Sequence, residues 1–522
     1  MTTMHNVLRN GAELYGDRAA ILFGEDILSY SAVLEMAERF AAGLGALGVG
    51  PGDSVACLMD NSMDAIRVWF GVALLGAADV PMNPQYRGDL LAYLLSDSGA
   101  TVVICDAEYF PGVLELTDRL PELRLMVIRG EMPRDVPERP ALVPMAEVDG
   151  SESAEVNGAE ERVILYTSGT TGPSKGVVHT QASSLVLSEY NAACLEYGPK
   201  DRLLNFFPLF HQNARYTGVL PALVSGGSIR MQRKFSSSRF WDVVGEDGIT
   251  AFNYLGSVLR LILNVTPEGW GRGDHTLTKA FGAGATPALW EECERRLAIR
   301  LVETYGLSEA PMATLNSGLA GCAGPVGSAG RASELFEVAV VDEADRQVPA
   351  GTIGEIVMRP RRPNALMQGY LNKDAATVRA FRNLWFHSGD RGRLNEEGFL
   401  YFEARDKDSI RRRGENISAW EVESVLDRHP DVAETAVFGI PCEETDEEVA
   451  AAVVWKCGKG DFAALLAHAE ARLPEYAVPT WFRVMEDLPR TSTEKVQKAE
   501  LRKAGRDACV AAAELKGAVA ET

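Results

Sequence analysis

Between the apolar runs Val163-Ile164-Leu165-Tyr166 and Val177-Val178-His179 the chain carries Thr167-Ser168-Gly169-Thr170-Thr171-Gly172-Pro173-Ser174-Lys175-Gly176. Short apolar runs bounded by glycine and hydroxyl residues are expected to be strands, which makes the intervening segment a turn between strands. Gly169, Gly172 and Gly176 let the backbone approach an anion closely. Thr167, Ser168, Thr170 and Thr171 offer hydroxyl donors and Lys175 supplies a point charge, so the loop suits a polyphosphate. The Walker pattern differs: its Lys-Ser/Thr stands at the head of a helix and its glycines are spaced otherwise. A lone Ser/Thr/Gly tract reads as a solvated surface loop; here the companion motifs downstream set it apart.

The segments before the loop alternate. Ser31 is expected to cap a helix in which Leu34, Ala37, Phe40, Ala41, Leu44 and Leu47 recur at helical spacing, ended by Gly48 and Gly50-Pro51-Gly52. Residues 54–59 read as a buried strand, 64–76 as an apolar helix, 90–95 as part of another and 101–105 as a β-branched strand. Such alternation predicts a layered α/β sheet. Residues 130–160, with Pro133, Pro137, Pro140 and Pro144, read as a surface excursion leading into the loop. The α/β pattern then resumes to about residue 400, a length that calls for subdomains rather than one core.

A charge run, Glu403 to Gly414, reads as a boundary. Beyond it Ser418 and Glu421 are expected to form a capping box opening a helix through Leu426, followed by strands 433–440 and 449–455, a helix 462–473 and a polar tail. The expected architecture is therefore a large N-terminal domain of layered α/β subdomains, residues 1–405, and a small mobile α+β domain, residues 406–522.

The formal charge of -21 over 522 residues argues against nucleic acid and against an electrostatic membrane anchor. The eight cysteines show no CxxC or paired His/Cys spacing and read as buried thiols. The most apolar run, Val68 to Ala78, is too short to span a bilayer, and the N-terminus has no apolar segment; a cytoplasmic location is expected.

Further motifs follow in a fixed order: Phe281-Gly282-Ala283-Gly284-Ala285-Thr286-Pro287, Glu303-Thr304-Tyr305-Gly306-Leu307-Ser308-Glu309, His387-Ser388-Gly389-Asp390, Arg405-Asp406-Lys407 and Pro489 to Lys498 around Lys495. Taken singly, these read as turns, solvated charge runs or an exposed lysine. In this order, with the phosphate loop, they resemble the ANL superfamily of adenylate-forming enzymes over nearly the whole chain.

That resemblance implies ATP, Mg²⁺ and coenzyme A as ligands, with the loop Thr167 to Gly172 and Lys175 on the phosphates. Ala283, Gly284, Ala285, Tyr305 and Gly306 are implied to face the adenine, Ser308 the α-phosphate, and Glu309 to hold the metal, a hard oxygen ligand of the kind Mg²⁺ shares with phosphates. Asp390 is implied to bind the ribose hydroxyls and Arg405 the nucleotide. Lys407 is implied as the hinge, Gly414 as lining a thiol tunnel, and Lys495 as the residue bridging carboxylate and α-phosphate. The sequence departs from the family pattern at Ala283, Thr286, Ser308 and Glu494. Arg411 to Arg413 fit a CoA-phosphate contact or a solvated run equally.

Pro208-Leu209-Phe210-His211 matches the segment at the carboxylate end of the acyl pocket, with His211 the candidate there. Gln212, Asn213, Arg215, Asn253 and Tyr254 point to a short polar or aromatic acid rather than a long chain. The resemblance implies acyl-CoA ligation, nearest to crotonobetaine/carnitine-type ligases, with no nucleic-acid or membrane partner and with a homodimer allowed. A different acceptor of the adenylate (a carrier protein, an amine, or nitrite) is the alternative; a non-catalytic nucleotide binder is disfavoured by the presence of Lys175, Glu309, Asp390 and Lys495.

Overall fold

The computed structural model describes residues 3–132, 139–150, 162–167, 173–271, 273–316, 324–405, 409–442, 446–489 and 496–517. The chain divides into two compact units: Met1–Pro84 with Ala92–Leu165 and Gly176–Ala404, and Gln85–Leu91 with Tyr166–Lys175 and Arg405–Thr522. Mixed α/β architecture runs through the first unit and α+β through the second.

Two large sheets organise the first unit. One has eight strands, ordered Gly369–Tyr370, Lys175–Thr180, Arg162–Thr167, Ala78–Pro81, Ser54–Leu58, Val102–Asp106, Leu125–Arg129 and Ala141–Pro144. From Arg162–Thr167 to Ala141–Pro144 every neighbouring pair is parallel. The strands Ser54–Leu58 and Val102–Asp106 are buried at every position, as expected of parallel strands covered on both faces.

The other sheet has nine strands. A parallel centre of Arg300–Tyr305, Lys279–Ala283, Ala251–Leu255, Arg202–Asn205, Ser228–Met231 and Ala19–Phe23 carries antiparallel strands at both edges. One apolar core joins strands of both sheets through helices Tyr30–Ala46, Met63–Leu75 and Gln181–Cys194. A second core packs helices Ser237–Asp247, Gly256–Val265 and Pro287–Leu297 on the nine-stranded sheet. Fully buried side chains such as Phe40, Phe70 and Leu259 contribute roughly 1.5–3 kcal/mol each. A smaller sheet is built on Phe336–Val341, Gly354–Pro360, Trp385–Leu394 and Leu400–Arg405.

Several expectations shift in detail. The helix Tyr30–Ala46 is capped by Ser29, whose hydroxyl accepts from Ala32 N at 3.2 Å, so Ser31 lies inside the first turn. The excursion before the loop is not all irregular: Ala141–Pro144 adds an edge strand, parallel to Leu125–Arg129.

In the second unit helix Ala419–Leu426 is capped by Ser418, which accepts from Glu421 N at 3.3 Å. Glu421 does not close the expected box: its carboxylate accepts from the backbone N–H of Ser174 at 3.1 Å and from the Ser174 hydroxyl. Burial raises its pKa to about 7. The expected polar tail instead holds Trp481–Met485, a strand pairing parallel with Asp446–Trp455, and a short strand Val510–Ala511 antiparallel to it. Of the three consecutive arginines 411–413, Arg412 is structural. Its guanidinium donates to Tyr476 O at 2.9 Å and pairs with Glu448 at 2.8 Å.

Candidate active site

The candidate residues of the first unit gather at the C-terminal ends of the parallel strands, where open α/β sheets bind ligands. Strand Lys279–Ala283 ends at Ala283, and Gly284 follows with φ +85°, a conformation glycine adopts without the Cβ penalty. Next to it strand Arg300–Tyr305 delivers Tyr305, whose phenol donates to Asp390 Oδ2 at 3.0 Å. Asp390 is 1% exposed and lies on strand Trp385–Leu394, not in a turn; its N–H donates to Ser388 Oγ at 3.0 Å. Two motifs 85 positions apart in sequence thus share one hydrogen bond.

After Tyr305 the chain turns tightly. A Cβ on Gly306 would stand 2.6 Å from Met312 N, so only glycine fits there. The Ser308 carbonyl accepts from His179 Nε2 at 2.6 Å. A carbonyl only accepts, so Nε2 carries the proton. Burial lowers the pKa of His179, which favours the neutral ring, and the buried Nδ1 has no hydrogen-bond partner among the described residues. The Ser308 hydroxyl makes no hydrogen bond among the described residues.

Glu309 Oε1 accepts from the Tyr370 phenol at 2.7 Å. Burial, and then the Glu309 carboxylate, hold the Tyr370 pKa well above its usual value, so it remains a donor. Tyr370 is fixed by pairing with Val177, and the N–H groups on either side of the Gly369-Tyr370 strand, of Gln368 and Leu371, donate to Val178 O and Gly176 O at 2.8 Å each. The second oxygen of Glu309 makes no protein hydrogen bond among the described residues, which suits an oxygen ligand for Mg²⁺.

His211 precedes the short helix Gln212–Ala214, and its ring packs on Phe210 with centroids 4.5 Å apart. Gln212 Nε2 donates to Leu307 O at 3.1 Å, tying this segment to the Tyr305–Glu309 turn. The side-chain amide of Asn253 donates to Asn213 Oδ1 at 2.8 Å and to Thr217 Oγ1 at 3.0 Å. Two expected pocket residues turn inward instead. Arg215 is buried in an ion pair with Asp79, lies 4.5 Å over the Trp69 ring and donates to Leu209 O. Tyr254, fully buried, donates to Glu303 Oε2 at 2.6 Å.

In the second unit Thr167 ends one strand and Lys175 begins the next. Gly414, with φ +87°, forms with Arg413 the turn between Ser409–Arg412 and Glu415–Ser418. Arg405 closes strand Leu400–Arg405. Ser168, Gly169, Thr170, Thr171, Gly172, Lys407 and Lys495 lie outside the described residues.

A model of the AMP-binding enzyme family matches residues 8–371, and one of the AMP-binding enzyme C-terminal domain matches 421–495. The chain belongs to this family. Its relatives among adenylate-forming ANL proteins include a crotonobetaine/carnitine–CoA ligase of Salmonella heidelberg (strain SL476), 28% identical over 505 residues that span 94% of this chain and 97% of that protein. A fatty acyl CoA synthetase of Mycobacterium tuberculosis is 29% identical in structure alignment, with TM-score 0.68, over 96% of this chain and 98% of its own. The o-succinylbenzoate CoA synthetase of Bacillus subtilis shares the fold at TM-score 0.81 and 24% identity, over 95% and 98% of the two chains.

For this AMP-binding enzyme, sequence reading left three side chains without a role, Glu303, His179 and Tyr370, and set Tyr254 in the acid pocket rather than against Glu303. Glu303 stood inside a recognised motif, and its position two residues before Tyr305, on the same face of a strand, was the available signal. His179 and Tyr370 act through long-range contacts that no local pattern reveals. No helix among the described residues is long and apolar enough to cross a membrane.

Proposed function

We propose that this AMP-binding enzyme joins a small carboxylic acid to coenzyme A through an acyl-AMP intermediate. The observation that carries the reading is the Tyr305–Asp390 contact, which sets an aromatic ring and a buried carboxylate beside the Gly284 turn, a constellation suited to adenine and a ribose diol. The names of relatives aligned over nearly their full lengths support CoA as the acceptor.

In the first half-reaction a carboxylate oxygen attacks the ATP α-phosphorus, the bond to the bridging oxygen of the β-phosphate breaks, and pyrophosphate leaves. Asp390 accepts from the ribose hydroxyls and Tyr305 covers the base. Glu309 would hold Mg²⁺, which neutralises phosphate charge when bound. Lys175 and Lys495 are assigned to phosphate charge on the resemblance of their motifs. In the second half-reaction the CoA thiolate attacks the acyl carbon and AMP departs with the carboxyl oxygen. Lys407 is assigned as hinge and Gly414 as tunnel wall, with the boundary between domains at 405/406.

The polar ladder Asn213–Asn253–Thr217 supports a short polar or aromatic acid over a long chain. Free thiols at Cys57, Cys105 and Cys293, all buried, support a reducing cytoplasmic setting.

The test is release of AMP and pyrophosphate from ATP and Mg²⁺ over a panel of short, aromatic and amino-aromatic acids, with and without CoA. A thioester formed only with CoA is the expected result. Acid-dependent release indifferent to CoA would keep adenylation and move the acceptor to a carrier protein, an amine or nitrite. No release with any acid would overturn the reading.

A further inference from the structure

Three neighbouring parallel strands place Tyr254, Gly282 and Glu303 side by side: Tyr254 is the register partner of Gly282, and Gly282 of Glu303. Laterally paired residues project from the same face of a sheet, so the middle position decides whether its neighbours can meet. Gly282 has no side chain, and a Cβ there would stand 2.7 Å from the Tyr254 ring. The tyrosine therefore crosses over Gly282 and reaches Glu303 Oε2 at 2.6 Å.

The other oxygen of Glu303 accepts from the backbone N–H of Gly284 and from that of Ala285 at 3.2 Å. The opposite side of the turn is equally confined, since a Cβ on Gly256 would collide with the Gly284 carbonyl. Glu303 itself is 6% exposed and Tyr254 fully buried.

We propose that Tyr254 and Glu303, meeting over Gly282, form a buried brace that fixes the Gly284–Ala285 backbone and thereby sets how tightly and how selectively this protein holds the base of ATP. The proposal rests on the adenylating reading of the site. Glu303 is a positioning residue: it acts through the turn, not on the reacting atoms. A carboxylate suits the task because it accepts from both backbone N–H groups on one oxygen and from the phenol on the other. Without it both N–H groups would lose their acceptor, that of the buried Ala285 with no water to replace it, and the turn would lose its single conformation.

The experiment compares wild type with Glu303→Met, Glu303→Gln and Tyr254→Phe. Calorimetry measures binding of a non-hydrolysable ATP analogue and its GTP counterpart, and steady-state assays give separate KM values for ATP and for the acid. Glu303→Met is expected to weaken the ATP analogue about 10-fold or more and to narrow the ATP-to-GTP preference, with the KM for the acid little changed. Glu303→Gln should restore most of the affinity, because its amide oxygen keeps the two backbone donors while its NH₂ donates to the Tyr254 oxygen. The phenol can then turn its own hydrogen toward Val302 O, 3.3 Å away.

Tyr254→Phe should move affinity and base preference in the same direction by a smaller factor. It removes one hydroxyl and serves as the deciding variant if Glu303→Met does not fold. A folded Glu303→Met, or failing that Tyr254→Phe, with wild-type analogue affinity and base preference would overturn the brace. Wild-type protein that binds neither nucleotide would overturn the adenylating reading itself, a separate result.

Discussion

The Tyr370 phenol donates to Glu309 Oε1 at 2.7 Å, across 61 positions of sequence. One carboxylate oxygen is thereby fixed, and the other has no protein hydrogen bond among the described residues; at the proposed Mg²⁺ site Tyr370 would orient Glu309 as outer groups orient the first ligands of a metal. Tyr370→Phe frees the carboxylate to rotate without changing the size of the ring. The Mg²⁺ concentration for half-maximal pyrophosphate release should rise roughly 10-fold, the lower end of what such outer contacts contribute. Binding of Mn²⁺ with an ATP analogue, followed by electron paramagnetic resonance, should weaken in parallel, while the KM for the acid stays near wild type. Unchanged Mn²⁺ binding would remove Tyr370 from the metal's surroundings.

His179 yields a pH prediction with a definite sign. Burial lowers its pKa in the folded protein below the value of about 6.5 expected in the unfolded chain. The folded state then binds fewer protons than the unfolded one, so this residue's contribution is fully present above about pH 6.5 and is lost as pH falls toward the folded pKa. His179→Gln can still donate an N–H to Ser308 O and does not titrate. Urea unfolding at pH 7.5, 6.5 and 5.5 should show wild type losing stability relative to the variant on acidification. A constant difference across the three values would mean that His179 is not held neutral.

The sequence was most legible where physics is local. Buried strands such as Ser54–Leu58 and the helix Met63–Leu75, stopped by Gly76 in the left-handed conformation, follow from apolar runs and glycine signals within a few residues. Motif order carried the family and brought attention to Tyr305 and Asp390, whose contact then emerges from strand placement. Competing partners defeated local rules elsewhere. Glu421 occupies the capping-box position, yet Ser174 takes its carboxylate. Arg215 follows a pocket motif on a helical segment, yet Asp79 on strand Ala78–Pro81 draws it inward. The Tyr254–Gly282–Glu303 row depends on the register of three strands, which a single sequence does not specify.

The two half-reactions make opposite demands on the C-terminal segment, and this separates two lysines by experiment. Adenylation gathers negative charge from a carboxylate and a triphosphate, so Lys495, in the role proposed for it, would lower that barrier; thiolate attack on the finished adenylate no longer has pyrophosphate charge to offset. Lys495→Ala should therefore reduce acid-dependent pyrophosphate release by about 10² or more, the scale of one lost charge-stabilising donor. Turnover of synthetic acyl-AMP with CoA should stay largely intact. Lys407→Pro fixes φ at the proposed hinge and should do the reverse, with adenylate forming and thioester appearing slowly. Single-turnover measurement of each half-reaction distinguishes them. Equal losses in both half-reactions for Lys495→Ala would show that the lysine supports the fold or substrate binding in general and not the adenylation step.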